Sequence, residues 1–192
     1  MQTTGSVDNH NLIERPILSP RVNLLYKPQD SFQARLTYST GFRAPQAYDE
    51  DLHVTAVGGE GVLIKLADGL REERSNSYSG SVDYTTTLGH WQANVLVEGF
   101  YTGLNDVFIL EDVGHDANGY AIKERRNGSG ARVYGANLDA KLAHGKEAVF
   151  SLGFTAQRSH YTEAEEWTDG QFTTRMMRTP DYYGYFTFTS EP

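Results

Sequence analysis

Carboxylates gather in three stretches of this 192-residue chain: Asp49, Glu50, Asp51 and Glu60; Asp112 and Asp116; and Glu163, Glu165, Glu166 and Asp169. Such groups could hold a divalent cation or a cationic ligand, but charges of this kind usually only solvate a loop. Glu165 and Glu166 resemble the acid pair of a glycosidase in type alone. Adjacent residues in one loop cannot set two carboxyls ~5–9 Å apart across a bond. The run from Asp112 to Gly119 has the Asp-x-Asn-Gly of a calcium loop without its bidentate Glu, so an exposed turn with Asn-Gly at its tip is the simpler reading. The six His residues are scattered and none forms a paired metal spacing. Hydrolase elbow, P-loop, HExxH and dinucleotide fingerprints are missing. The expectation is a non-enzyme with no catalytic residue, no metal and no cofactor. What remains is recognition chemistry: one Arg and several aromatics in the acidic stretches, able to offer charge and stacking. The candidates for ligand contact are Arg43, Tyr48, Asp49 and Glu50, with Tyr120 and Trp167.

The elements that would carry these residues are strands. Apolar and polar residues alternate with period 2 near 17–27, 32–42, 70–85, 91–111, 130–143, 148–160 and 175–189. Phe32, Ala34, Leu36 and Tyr38 alternate cleanly with Gln33, Arg35, Thr37 and Ser39. The links 28–31, 86–90 and 144–147 are short, whereas 43–69, 112–129 and 161–174 hold 27, 18 and 14 residues. Every other link of an up-and-down meander lies at the same end. One end therefore carries tight turns and the other long loops, the layout of outer-membrane barrels. Gly41 permits a bend or a close approach, and Pro45, which cannot donate to a ladder, should mark the strand's end.

Composition narrows the class. Hydrophobic residues are 39%, mean hydropathy is −0.52, and 12 Tyr and 9 Phe accompany 19 Gly. No apolar run is long enough for a transmembrane helix, but barrel strands need be apolar on one face only. The absence of Cys excludes disulfide scaffolds and Cys-based zinc sites. A net charge of −8 disfavours nucleic acid as a partner. The N-terminus does not read as a secretory signal peptide, which suggests either a cytosolic protein or an internal piece of a longer precursor.

The polar faces of these strands carry Ser, Thr, Asn, Gln, Asp, Glu and Arg. In a barrel they would line the lumen while the aromatic and aliphatic faces meet lipid, with Tyr26, Trp91, Tyr101 and Tyr161 near an aromatic girdle. A soluble antiparallel sandwich gives the same alternation and is the alternative. Against it stand segments of 11 residues or more, where ~5–6 is usual, and the sorting of links by length.

Specific blocks then carry a resemblance. Ser19-Pro20-Arg21-Val22-Asn23-Leu24-Leu25-Tyr26 is followed by Tyr38-Ser-Thr-Gly41-Phe42-Arg43-Ala44-Pro45 and by Asp49-Glu50-Asp51-Leu52. With Glu73-x-Ser75-x-Ser77-Tyr78, Phe100-Tyr101-Thr102, Tyr134-Gly135-Ala136 and Thr179-Pro180, these resemble the barrel region of TonB-dependent outer-membrane receptors over most of 12–189. The resemblance implies an all-β antiparallel up-and-down meander of about seven long strands, an open curled fragment of a larger transmembrane barrel. It implies import of a scarce ligand (siderophore, haem, vitamin or glycan) across a Gram-negative outer membrane. The implied partners are the TonB energy-transducing system, acting through a plug, outer-membrane lipid and a small extracellular ligand. Residues 1–192 are expected to be one partial barrel segment without plug domain or C-terminal closing strand. The meander is expected to be wholly antiparallel, with 17–27 and 175–189 as its open edges.

Overall fold

The computed structural model describes residues 1–9, 15–45, 62–117, 119–145, 147–168, 170–177 and 179–190, with the backbone alone at 62 and 166–168. The described residues form twelve strands: β1 (Gln2–Asp8), β2 (Ile17–Gln29), β3 (Phe32–Arg43), β4 (Val62–Leu66), β5 (Glu73–Leu88), β6 (Trp91–Asn105), β7 (Phe108–His115), β8 (Ala121–Asn127), β9 (Ala131–His144), β10 (Ala148–Thr168), β11 (Gln171–Arg175) and β12 (Tyr182–Ser190). The main sheet runs β1-β2-β3-β5-β6-β9-β10, and both β11 and β12 lie on the far side of β10. All its pairs are antiparallel. Long members of 13, 12, 16, 15, 14 and 21 residues (β2, β3, β5, β6, β9, β10) and the shorter β12 coincide with the seven alternating segments. No pair joins β1 to β11 or β12 among the described residues, so the sheet is open.

Tight turns close one end. Gly89 and Gly145 adopt φ of +63° and +53° in the β5–β6 and β9–β10 turns, a conformation that glycine takes without steric cost. Lys27 and Asp30 pair at 3.0 Å across the β2–β3 turn.

Five details depart from the sequence reading. The 17–27 strand is not an edge, because β1 pairs with it from Gln2↔Asn23 to Asp8↔Ile17. Segment 91–111 is two strands: β6 stops at Asn105, and Asp106 takes a φ of 55° that breaks the alternation before β7. The stretches read as long loops contain strands. A second, three-stranded sheet of order β4-β8-β7 holds 108–127, and β10 continues through 161–168 to pair with β11. Finally, β4 runs parallel to β8, so the structure is not wholly antiparallel. Segment 175–189 likewise divides, its first residue ending β11.

The register aligns the two faces across strands. Leu36↔Gly80, Ala34↔Val82 and Phe32↔Tyr84 continue as Gly80↔Gly99, Val82↔Val97 and Tyr84↔Val95, and then reach Ala136, Leu138 and Ala140 on β9. Tyr38, Tyr78, Tyr101 and Tyr134 form one rung at the loop-side limit of this apolar face. The first two rings stand 4.9 Å apart and the next pair 6.4 Å. At the turn side the face ends on Leu88, Trp91 and His144. Along β5, Tyr78 and Leu88 are ten residues apart. At ~3.3 Å per residue and a barrel tilt of ~40°, that is about 25 Å, the height of a membrane-embedded apolar band.

The opposite face is a polar lattice. Thr37 donates to Asn23 (2.9 Å), Asn94 to Asp83 (2.6 Å), Asn137 to Glu98 (3.2 Å) and Thr155 to Asn137 (2.8 Å). Arg35, Ser79, Asn137 and Thr155 share this face, as the alternation predicts.

A sandwich would bury the apolar face, and this one is open: Leu36 is 61% exposed, Val97 49%, Phe154 45% and Phe186 65%. Ile17, Ala44, Pro45 and Ala131 are the buried apolar side chains among the described residues. Surface as apolar and continuous as this exceeds what a soluble monomer carries and suits a hydrocarbon solvent.

Two outcomes follow. The chain expressed alone in detergent-free buffer sediments as aggregate, checked by analytical ultracentrifugation. With the sheet completed as a closed barrel, Val97→Arg in mid-band lowers folding stability in bilayers by about 2–4 kcal/mol, whereas Ser81→Arg on the polar face changes it by about 0.5 kcal/mol or less; denaturant titration reads both.

Candidate ligand-binding site

The loop-end strands meet around one carboxylate. Glu73 opens β5, and its Oε2 accepts the Phe108 N–H at 3.2 Å. The same oxygen lies 3.9 Å from Nη1 of Arg43, the last residue of β3. Arg43 also stands over the Phe108 ring, 5.6 Å from its centroid. Glu73 thus ties the end of β3, the start of β5 and the start of β7. Gly41 makes that approach possible, since a Cβ there would stand 2.9 Å from Ser75 Oγ. As Pro45 requires, β3 ends before it.

A second junction fixes the three-stranded sheet to the barrel rim. Asn127 Oδ1 accepts the Arg71 N–H at 2.8 Å, and its Nδ2 donates to the carbonyls of Arg71 (3.0 Å) and Asp106 (2.8 Å). Arg71 Nη2 reaches Asp106 at 2.5 Å. Nearby, burial would raise the Glu72 carboxyl, but hydrogen bonds from Arg74 and the charges of Arg74 and Arg71 outweigh it and hold Glu72 below its ordinary value.

Between β7–β8 and the β10–β11 extension lies a cavity of about 540 Å³. Arg43, Phe108, Arg125, Arg126, Tyr161 and Phe172 give it cationic and aromatic walls, and Glu111, Asp112 and Glu165 add carboxylates. Arg125 is only 2% exposed. Arg126 binds Glu111 (2.5 Å) and Glu124 (2.7 Å). Ser129 Oγ donates to Glu165 (3.0 Å), and the Thr162 N–H donates to the Gly130 carbonyl (2.7 Å), drawing β10 against the 128–130 turn. Such a site can hold an anionic, partly planar ligand by charge and stacking.

Of the residues expected to touch ligand, Arg43 lines this cavity. Tyr120 sits at the tip of the β7–β8 hairpin, 48% exposed and outside the lining. There Asp116 Oδ1 accepts the Tyr120 N–H at 2.8 Å and Gly119 has φ +84°, which is the turn geometry expected at that Asn-Gly. Trp167 lies in the backbone of β10 near its end. Tyr48, Asp49 and Glu50 fall outside the described residues. Sequence reading passed over Arg125, Arg126 and Phe108. Phe108 lay in the segment read as one strand over 91–111, whereas Arg125 and Arg126 lay in the stretch 112–129 taken for loop, where Ala121–Asn127 shows no clean alternation.

The family model of TonB-dependent receptor-like β-barrels matches residues 2–190. The chain belongs to the TonB-dependent receptor family. That family comprises transport receptors of the Gram-negative outer membrane that act with TonB, and not enzymes. No curated protein matches the chain in sequence. Solved TonB-dependent receptors share its fold. The siderophore receptor PirA of Pseudomonas aeruginosa has a TM-score of 0.65 at 16% identity, over 81% of this chain and 30% of that one. A Serratia marcescens HasR double mutant, in complex with its hemophore HasA and heme, gives 0.66 at 13% identity, over 93% and 30%. The FrpB iron transporter of Neisseria meningitidis (F3-3 variant) gives 0.56 at 19%, over 77% and 20%. The chain thus spans less than a third of the length of these receptors.

Two measurements check the rim. Asn127→Ala in the complete receptor should lower the local opening free energy of β7 and β8 by about 1–3 kcal/mol, read by amide hydrogen exchange, with the membrane strands unchanged. Glu72, depressed in the fold, contributes fully above its ordinary value of 4.5 and loses that contribution as pH falls through its lower folded value. Glu72→Gln should therefore remove the acid-induced rise in exchange at residues 71–74.

Proposed function

We propose that this chain supplies part of the wall and extracellular rim of an outer-membrane receptor that imports a scarce, anionic ligand, with an iron siderophore or haem as the favoured cargo. The observation that carries the reading is the loop-end cavity of about 540 Å³ with Arg43, Arg125, Arg126 and aromatic rings in its walls. Ferric chelates and haem combine negative groups with flat or aromatic surfaces, which arginine and aromatic side chains engage together. The likeness to receptors titled for siderophore, iron and hemophore–heme supports the same cargo class.

In this reading the chain does no chemistry on its cargo. Loops and the β4-β8-β7 sheet capture the ligand first. The Ser-, Asn- and Asp-rich face of β3, β5, β6 and β9 then lines a wet passage. Energy comes from the TonB system acting on a plug in the complete receptor. Arg43, with Tyr48, Asp49 and Glu50 following it in sequence, forms one side of the entrance, and Tyr120 and Trp167 contribute from the other connections.

The test is binding and uptake of a panel of ferric siderophores and haem by the complete receptor. Arg43→Ala should weaken binding of its cargo about tenfold, as loss of a charge-assisted contact does, and Trp167→Ala should do likewise through lost stacking. Normal affinity in both variants would remove these residues from the site and leave the rim as a gate or spacer.

A further inference from the structure

The apolar face is not uniform. Between the rung Tyr78–Tyr101 and the rung Val82–Val97 stand Gly80 and Gly99, directly paired. Leu36 reaches over Gly80, where a Cβ would stand 3.1 Å from Leu36 Cδ2, and beside it a groove of about 550 Å³ is walled by Leu24 and Leu36 on one side and by the rings of Tyr78 and Tyr101 at its loop end. A Cβ at Gly99 would meet nothing within 4 Å, so the floor is open there. The groove lies in the interior of the sheet, on β2, β3, β5 and β6, and the next strands of a complete barrel would not cover it.

The cations at the loop-side limit of this face are mostly paired, Arg74 with Glu72 and Arg158 with Asp181. The rung beyond the tyrosines is Thr40–Asn76–Gly103–Arg132–His160, and the next is Phe42–Arg74–Asn105. Neither holds a carboxylate, although the chain carries a net charge of −8. Arg132 is exposed, with no ion pair among the described residues, and it sits on the strand beside Gly103, two positions beyond Tyr101. At the tight-turn limit of the same face, the rung Leu88–Trp91–His144–Ala148 has no Arg or Lys.

We propose that this groove is a binding site for one anionic phospholipid, its acyl chain lying over Gly99 beside Leu36 and its net negative headgroup held by Arg132. A dent in a lipid-facing wall forfeits dispersion contacts unless a chain settles into it. A cation at the headgroup level fixes which lipid does so. The tyrosines between them hold the boundary where an amphiphile changes from apolar to polar. This goes beyond ligand uptake and does not depend on the nature of the cargo.

Native mass spectrometry of the complete receptor in neutral detergent tests it, with dioleoylphosphatidylglycerol and dioleoylphosphatidylcholine supplied in equal amounts. The wild type should retain one phosphatidylglycerol in preference to phosphatidylcholine by about fivefold, the worth of one basic residue at an anionic lipid surface. Arg132→Gln should make the two lipids equal. Gly99→Leu should abolish retention of both, and far-UV circular dichroism confirms that its sheet is intact. Should Gly99→Leu not fold, the Arg132→Gln comparison decides alone. Absence of preference in the wild type, retention unchanged by either variant in a folded receptor, or a receptor dimer sealing this face would overturn the proposal.

Discussion

In hydrocarbon, a backbone N–H or C=O has no partner except another backbone group. The remaining features of this chain follow from that constraint. It demands continuous ladders, and the register runs unbroken from Arg74↔Asn105 to Leu88↔Trp91 between β5 and β6, and from Ala148↔His144 to Tyr161↔Ala131 between β9 and β10. Irregularities gather away from those ladders. The bulges between β10 and β11 and the kink at Asp106 lie at the loop end, where water can serve the backbone. Side chains are then free to differ completely between faces, since neither face is needed to satisfy the main chain.

This freedom explains how a chain of 39% hydrophobic residues builds a membrane wall. Half of each strand is given to lipid and half to a hydrogen-bonded polar surface. The Thr37–Asn23 and Asn94–Asp83 bonds and the Thr155–Asn137–Glu98 chain join neighbouring strands from the lumen side. The polar face is thus part of the scaffold, and two of its charges, Asp83 and Glu98, accept hydrogen bonds from the amides of Asn94 and Asn137.

How much of this was legible in the sequence depends on how each residue acts. The Phe32–Ser39 alternation and the short links at 28–31, 86–90 and 144–147 are local signals, and β3 and the tight-turn end followed from them. Gly41 and Pro45 acted as their backbone chemistry requires. The edge was misplaced because β1 is a glycine- and threonine-rich strand with one apolar residue, Val7, and shows no face. The three-stranded sheet was missed for a different reason. Its β4–β8 pairing joins Val62–Leu66 to Ala121–Arg125, segments far apart in the chain, and no local period announces such a pair. The cavity is walled by β7, β8 and the β10–β11 extension, so Arg43 was found from its position after Gly41-Phe42, while Arg125, Arg126 and Phe108 were not.

The 21-residue length of β10 has a consequence for the shape of the receptor. At ~3.3 Å per residue and ~40° of tilt it rises about 50 Å, roughly twice the thickness of the apolar band. Its lower part pairs with β12 and its upper part with β11, so two neighbours share one spine and the junction between them falls near the membrane boundary. The upper part is a parapet standing in water, held by its own ladder and insensitive to bilayer thickness. Inserting or removing a pair of residues there would raise or lower the entrance by about 5 Å while leaving every lipid-facing residue at its depth. The receptor's reach toward its surroundings and its fit to the membrane are, in this segment, separately adjustable lengths of the same strand.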